Sequence, residues 1–236
     1  MKSYLYSSKF MIQKSNNFNT LFPPGIIYRR IEISLKSFYE DLKTFCKTMG
    51  WRFDPYISTS DGKKNKWKNN LVEIEQIEEY DDGRAKGFIF TFHIPSPIGP
   101  PFDTSRPANL TDNLPQIGYK HKIYVSLPYN YPSVRSIESN VQRTDTLYIE
   151  SRSQLFHPRF YLRTKSWGCI MVNGEIDRIA MNLFQQLLWE PGHVWKDNSQ
   201  QETTNNHNAS AWAKKCGKEE IHTLMLGLMN KQWSIN

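Results

Sequence analysis

The spacing of apolar residues changes along this sequence, and the change limits the folds that the chain can adopt. Between Ile27 and Met49 the apolar residues step by three or four, which places them on one face of a helix. From Leu71 to Glu150 the pattern is typical of strands, and after Gly174 the helical spacing returns. Helices on either side of a central set of strands predict an α+β fold.

The first helix is predicted over Ile27–Met49, with Gly50 as its end, because glycine readily adopts the left-handed backbone that follows a helix. Cys46 lies beside the apolar face of this helix. We expect Cys46 to be a small, half-buried residue rather than a reactive one.

Four strands are predicted in the middle of the chain. Leu71–Tyr80 and Lys86–Ile94 flank the turn sequence Asp81-Asp82-Gly83, so they are expected to form a hairpin. His121–Leu127 alternates in the same way, and Thr146–Glu150 is rich in β-branched and aromatic residues. Together these segments predict a four-stranded antiparallel meander.

Two polar or proline-rich segments are predicted to be loops. Ser58–Asn70 is rich in lysine and contains Asp61-Gly62, which is typical of a solvated loop. Four prolines follow Ile94, and proline supplies no backbone donor to a sheet. A long loop is therefore expected near residues 95–118.

Helices are predicted again in the last third of the chain. The apolar positions that define them are Ile176, Ile179, Leu183 and Leu187 for one helix and Ile221, Leu224, Met225 and Leu228 for the last. The first of these helices should end near Pro191-Gly192. Asn208 is a candidate cap for a helix that begins at Ala209.

A chain of 236 residues suits one ordinary domain with extensions. We interpret residues 1–25, which end in strong helix and strand breakers, as an N-terminal extension and residues 26–236 as the domain. No apolar run approaches the about 20 residues of a membrane-spanning helix, and the N-terminus lacks the pattern of a secretory signal. A cytoplasmic protein without membrane contact is expected.

Cysteine and charge usage exclude further classes of protein. Cys46, Cys169 and Cys216 share no close metal-type spacing and cannot all pair within one chain, which argues against a disulfide framework or a zinc site. The net charge is +7, but the lysines and arginines are scattered rather than gathered in one run. This distribution argues against a nucleic-acid-binding protein.

The segment between the last predicted strand and the second predicted helix carries the chemistry. It contains His157-Pro158-Arg159 and then Gly168-Cys169-Ile170. A free cysteine is only about 3% thiolate at pH 7, so a nucleophilic Cys169 requires nearby positive charge, a donor or a helix end. Arg163, Lys165 and His157 are candidates for that charge.

The order of these motifs resembles that of the ubiquitin-conjugating enzymes. In that family a strand is followed by a Tyr-Pro turn, then by His-Pro-Asn, and then by the catalytic cysteine. The matching residues here are Pro128, Tyr131-Pro132, His157-Pro158 and Gly168-Cys169-Ile170, with a following helix that ends in Leu187–Pro191. The likeness covers roughly residues 26–231, and the long additions resemble divergent prokaryotic members of the family.

The resemblance implies a ubiquitin-conjugating fold and a cysteine enzyme. Cys169 would carry a ubiquitin-like protein as a thioester, received from an activating enzyme, and would transfer it to an amine of an acceptor, with or without a ligase. His157 is the second candidate site residue, and its ring is better explained as holding a tight turn than as an acid or base. No metal or organic cofactor is implied.

Three departures from the family pattern keep other functions open. Arg159 stands where the family has an oxyanion-stabilising or structural asparagine, the spacing from His157 to Cys169 is longer than usual, and Arg178 lies near the place of an expected tryptophan. The alternative is a catalytically inactive interaction module of the same fold. A third reading is a cysteine hydrolase with His157 as its base.

Overall fold

The described part of the chain contains a six-stranded antiparallel sheet, with one long helix before it in the sequence and further helices after it. The computed structural model describes residues 24–60, 65–79, 85–98, 116–127, 131, 148–151, 155–160, 175–194 and 207–235. In these residues the strands are β1 (Ile57–Ser60), β2 (Asn65–Lys68), β3 (Val72–Glu79), β4 (Ala85–Phe92), β5 (Ser96–Ile98), β6 (Gln116–Gly118), β7 (His121–Ser126) and β8 (Tyr148–Ser151). The helices are α1 (Pro24–Met49), α2 (Ile176–Leu187), α3 (Pro191–Val194), α4 (His207–Cys216) and α5 (Lys218–Trp233).

The main sheet has the order β1-β2-β3-β4-β7-β8, and β5 and β6 form a separate two-stranded sheet. Alternate residues of the main sheet point into the core, as the period of two requires. The buried residues on that face include Trp67, Ile74, Phe88, Phe90, Phe92, Ile123, Val125 and Ile149. The predicted mixture of helices with an antiparallel sheet, and the predicted hairpin of β3 and β4, are confirmed.

Helix α1 contributes a continuous buried stripe that includes Leu35, Phe38, Leu42 and Cys46. It ends at Met49, as predicted, and begins at Pro24 rather than at Ile27. Proline is well tolerated in the first turn of a helix because the N–H that it lacks would have no partner there. Pro24 and Gly25, which were expected to precede the helix, therefore form its start.

The prediction of a loop over Ser58–Asn70 is wrong, because β1 and β2 form a hairpin there. Trp67 is buried against the core, whereas its neighbours Lys66 and Lys68 lie on the outer face. The Lys66 ammonium pairs with Glu75 at 3.1 Å and that of Lys68 with Glu73 at 3.0 Å. The lysines thus cover the exposed face of a strand pair, and in the described residues the main sheet has six strands instead of the predicted four.

The two ends of the long loop predicted near residues 95–118 pair as β5 and β6, and residues 99–115 between them lie outside the described residues. Pro97 lies in β5 because its carbonyl can still accept a hydrogen bond, here from the Phe156 N–H at 3.0 Å. The buried His121 joins β6 to the segment that follows β4: its Nε2 lies 3.0 Å from the Ile94 carbonyl oxygen and 3.1 Å from that of Gly118, and its N–H donates to them.

The helices after the sheet have the predicted order. Helix α2 ends at Leu187 and the one-turn α3 follows, while α5 contains the last predicted apolar positions. Asn208 lies inside α4, which begins at His207, so the prediction that it caps a helix at Ala209 is wrong. None of the helices in the described ranges is long and apolar enough to cross a membrane.

Candidate functional site

The turn that contains His157 lies between β8 and α2. The imidazole of His157 is 1% exposed, and its Nδ1 accepts a hydrogen bond of 3.1 Å from the backbone N–H of Arg159. The Phe160 N–H donates to the His157 carbonyl at 3.1 Å and closes the same turn. Because Nδ1 is an acceptor, a neutral ring carries its proton on Nε2. The side chain thus holds the turn from within.

The protonation of His157 follows from this burial. Removal from water lowers the pKa of the imidazole to about 3, and the positive charge of Arg159 acts in the same direction, while a backbone hydrogen bond with Gln186 opposes them. At neutral pH the ring is therefore uncharged. Such a ring fixes backbone geometry but is not available as a positive charge beside a thiolate.

Three aromatic side chains surround the His157 turn. The ring of Trp189, just after α2, meets the imidazole edge to face at a centroid distance of 5.0 Å. Trp212 from α4 packs against Trp189 at 5.3 Å and against Phe156 at 5.7 Å. We call Phe156, His157, Trp189 and Trp212 the aromatic cluster. It joins the turn to two helices that lie far from it in the sequence.

Tyr131 anchors the start of α2, a role that the sequence analysis missed. Its hydroxyl oxygen is buried and accepts a hydrogen bond of 3.0 Å from the N–H of Ile176, the first residue of α2. Burial raises the pKa of this phenol. One signal is visible in the sequence: a large tyrosine lies close to Pro128 and Pro132, which break helices and strands, and its hydroxyl requires a hydrogen-bond partner once the side chain is buried.

Glu175 fixes the same helix start to α1. Its carboxylate pairs with the guanidinium of Arg30 and accepts a hydrogen bond of 3.1 Å from the hydroxyl of Ser34. Burial alone would raise the pKa of Glu175, but the hydrogen bonds from Arg30, Ser34 and Tyr131 hold it below its usual range. Sequence spacing carries no signal for this group, because Arg30 and Ser34 of α1 lie far from Tyr131 and Glu175 in the sequence.

Cys169, the predicted nucleophile, lies outside the described residues, as do Arg163 and Lys165. The structure fixes the residues on either side of that segment, Phe160 in the His157 turn and Glu175 before α2. Of the other two cysteines, Cys46 is fully buried and burial raises the pKa of its thiol to about 12. Cys216 is partly exposed at the end of α4.

Within the described ranges, no group of three or more histidine, cysteine, aspartate or glutamate side chains is arranged to hold a metal ion. Comparison of the chain with protein-family models, with curated proteins and with solved structures finds no match.

Proposed function

We propose that this protein is a ubiquitin-conjugating-type enzyme that works in the cytoplasm. In this proposal Cys169 accepts the C-terminus of a ubiquitin-like protein from an activating enzyme and passes it to an amine of an acceptor protein. The motif order from Tyr131 through His157 to Cys169 is the sequence basis for the proposal.

The observation that carries the proposal is the hydrogen-bonded state of His157. The sequence led us to expect that His157 holds a tight turn before the nucleophile rather than acting as an acid or base. The buried ring, with its Nδ1 bonded to the Arg159 N–H, fits that role. A cysteine hydrolase would instead need this ring as a base in contact with the nucleophile, so the geometry favours transfer over hydrolysis.

The anchored ends of the Cys169 segment support the proposal further. On one side the His157 turn is held by two hydrogen bonds. On the other side Glu175 and Ile176 are bound by Arg30, Ser34 and Tyr131. A nucleophile that must meet a protein C-terminus and an incoming amine gains rate from fixed geometry, because positioning removes much of the entropic barrier.

The proposed reaction has two acyl transfers. The Cys169 thiolate attacks the thioester carbonyl on the activating enzyme, a new thioester forms, and the activating enzyme's thiolate leaves. The neutral amine of the acceptor then attacks the Cys169 thioester, an amide forms, Cys169 leaves as a thiolate, and the proton that the amine loses passes to water. A neutral His157 takes no proton in either step and contributes by holding the turn.

A donor that does not require the activating enzyme tests the first step. A ubiquitin-like protein with a C-terminal mercaptoethanesulfonate thioester is mixed with the full chain, and adducts are separated without reducing agent. We expect an adduct that added thiol removes, that Cys46→Ser and Cys216→Ser retain, and that Cys169→Ser lacks. Equal thiol-labile charging of Cys169→Ser and the natural chain would refute the assignment and make Cys216 the next candidate.

The second candidate function is a catalytically inactive module of the same type, and Arg159 is the observation that favours it. Arg159 replaces the asparagine that the family uses near the nucleophile, and its charge disfavours protonation of His157. This function predicts binding of the ubiquitin-like donor without any covalent adduct.

Under the leading proposal, the Arg159→Ala variant should form the Cys169 thioester normally but should transfer it more slowly to free lysine, since charge stabilisation acts on the transfer step.

A further inference from the structure

Trp189 has a backbone conformation that side-chain-bearing residues rarely adopt. Its φ is 59°, which lies in the left-handed region, and it is the only residue other than glycine with positive φ in the described part of the chain. Its side chain is also fully buried. For a bulky residue this combination is an outlier, and such strain persists only where the surrounding structure requires it.

The hydrogen bonds around Trp189 identify the cause of this backbone conformation. The Trp189 N–H donates to the Gln186 carbonyl at 2.9 Å and the Glu190 N–H to the Gln185 carbonyl at 3.1 Å. These are the two bonds of a Schellman helix end, in which the residue after the cap is left-handed and is usually glycine. Tryptophan occupies the glycine position.

Helix α1 of the same chain ends in the same motif with the usual residue. The Gly50 N–H donates to the Lys47 carbonyl at 3.2 Å and the Trp51 N–H to the Cys46 carbonyl at 2.8 Å. Gly50 has a φ of 69°, and a Cβ added there would meet no atom within 4 Å. The protein thus contains two equivalent helix ends that differ in the residue at the strained position.

The indole ring of Trp189 accounts for the exception. It lies between His157, at a centroid distance of 5.0 Å, and Trp212 of α4, at 5.3 Å. A glycine at this position would make an unstrained helix end but would remove the indole that contacts the imidazole in the aromatic cluster. The Nε1–H of Trp189 has no hydrogen-bond partner among the described residues. The indole therefore contacts His157 and Trp212 through its ring atoms and not through a hydrogen bond.

We propose that Trp189 is a positioning residue for the His157 turn: the strained backbone at the end of α2 places an indole ring in contact with the imidazole on one side and with Trp212 of α4 on the other. The consequence for transfer from Cys169 rests on the proposed function, whereas the effect on His157 does not. Two properties of Trp189 have separate effects. The backbone conformation sets a stability cost, and the ring sets the orientation of His157.

The stability cost is measured by comparing alanine with glycine at both helix ends. Trp189→Ala keeps the strained side-chain-bearing residue and Trp189→Gly removes the strain, while both remove the ring. The unfolding equilibrium constant of Trp189→Ala should exceed that of Trp189→Gly by about fivefold or more. Gly50→Ala is the matched control, and it should raise the constant of the natural chain by a similar factor. Equal constants for the two Trp189 variants would overturn the strain assignment.

The positioning role is measured on His157 itself. Proton–nitrogen correlation spectra of the imidazole should show a single neutral tautomer with its proton on Nε2 in the natural chain and in Trp189→Phe. Trp189→Ala and Trp189→Gly should both show averaged tautomers. If both truncated variants fail to fold, Trp189→Leu replaces them, since leucine fills part of the space without an aromatic ring. A single unchanged tautomer in every ring-free variant would overturn the positioning role.

Transfer from Cys169 supplies the readout that separates positioning from general stability. Discharge of the Cys169 thioester to free lysine should slow by about tenfold or more in Trp189→Ala and Trp189→Gly alike, although their stabilities differ, and Trp189→Phe should restore it. Discharge of Trp189→Gly at the natural rate would overturn the proposal. Failure of the natural chain to form the thioester would refute the proposed function alone, and the His157 spectra would still decide the role of Trp189.

Discussion

At the scale of single residues, two buried histidines couple the stability of the protein to pH. Burial lowers the pKa of His157 to about 3, and burial lowers that of His121 to about 4 against the opposing hydrogen bonds to Gly118 and Ile94. In the unfolded chain both rings take their ordinary pKa near 6.5. As pH falls below that value the unfolded state binds protons that the folded state does not, so folding stability decreases.

We therefore expect the free energy of unfolding to fall by about 2 kcal/mol for each of these histidines between pH 7 and pH 5. Urea unfolding at the two pH values measures the change. His121→Gln retains a donor for the Ile94 and Gly118 carbonyls but does not titrate, so it should lose about half of the pH dependence. A natural chain that is equally stable at both pH values would contradict the buried, neutral state of the two rings.

At the scale of elements, the start of α2 depends on one phenol. Tyr131→Phe would remove the acceptor of the buried Ile176 N–H and a donor to Glu175. We expect a loss of about 1–3 kcal/mol, the cost of a buried group without its hydrogen bond. The control is Tyr39→Phe: its hydroxyl is buried with no partner among the described residues, and its ring stacks on Tyr56.

Tyr39→Phe should be neutral or slightly stabilising, because it removes a polar group that makes no bond. Chemical denaturation of both variants beside the natural chain measures the difference. Equal destabilisation by the two substitutions would mean that packing of the ring, rather than the hydroxyl of Tyr131, holds the start of α2.

The elements differ in how far the sequence predicts them, and the reason is where their stabilising contacts lie. Helix α1 was predicted because its apolar stripe repeats within the segment itself. Strand β2 was not predicted, because one buried Trp67 between two lysines gives too little local pattern, and its ladder depends on the pairing with β3. Strands β5 and β6 were not predicted for the same reason, because each depends on a partner that lies about 20 residues away in the sequence.

The candidate site divides in the same way. The turn at His157 could be predicted from His157-Pro158, because its hydrogen bond to Arg159 is local. The contacts of Trp189 with His157 and with Trp212 could not be predicted, since they require segments that lie far apart in the sequence to meet. Nor does any local pattern reveal that α2 ends in a Schellman motif at Trp189, because glycine is the residue that usually signals such a helix end.

At the scale of the whole molecule, one core joins the first and last helices. The buried cluster includes Leu35 of α1, Phe90 of the sheet, Phe184 of α2, Trp212 of α4 and Met225 of α5. A single core of this kind unfolds as one cooperative unit. The chain segments after α1 and after α5 are also joined directly, since a β-bridge pairs Trp51 with Ser234.

The link between Trp51 and α5 allows a test of this cooperativity. The indole N–H of the buried Trp51 donates to the side-chain oxygen of Asn230 at 2.6 Å. Asn230→Ala removes that acceptor and should lower the free energy of unfolding by about 1 kcal/mol. Because α5 shares the core with the sheet, the unfolding midpoints by tryptophan fluorescence and by far-ultraviolet circular dichroism should shift together. Lys231→Ala, at the exposed neighbouring position, should leave both midpoints unchanged. Separate shifts of the two signals would indicate that α5 unfolds independently of the sheet.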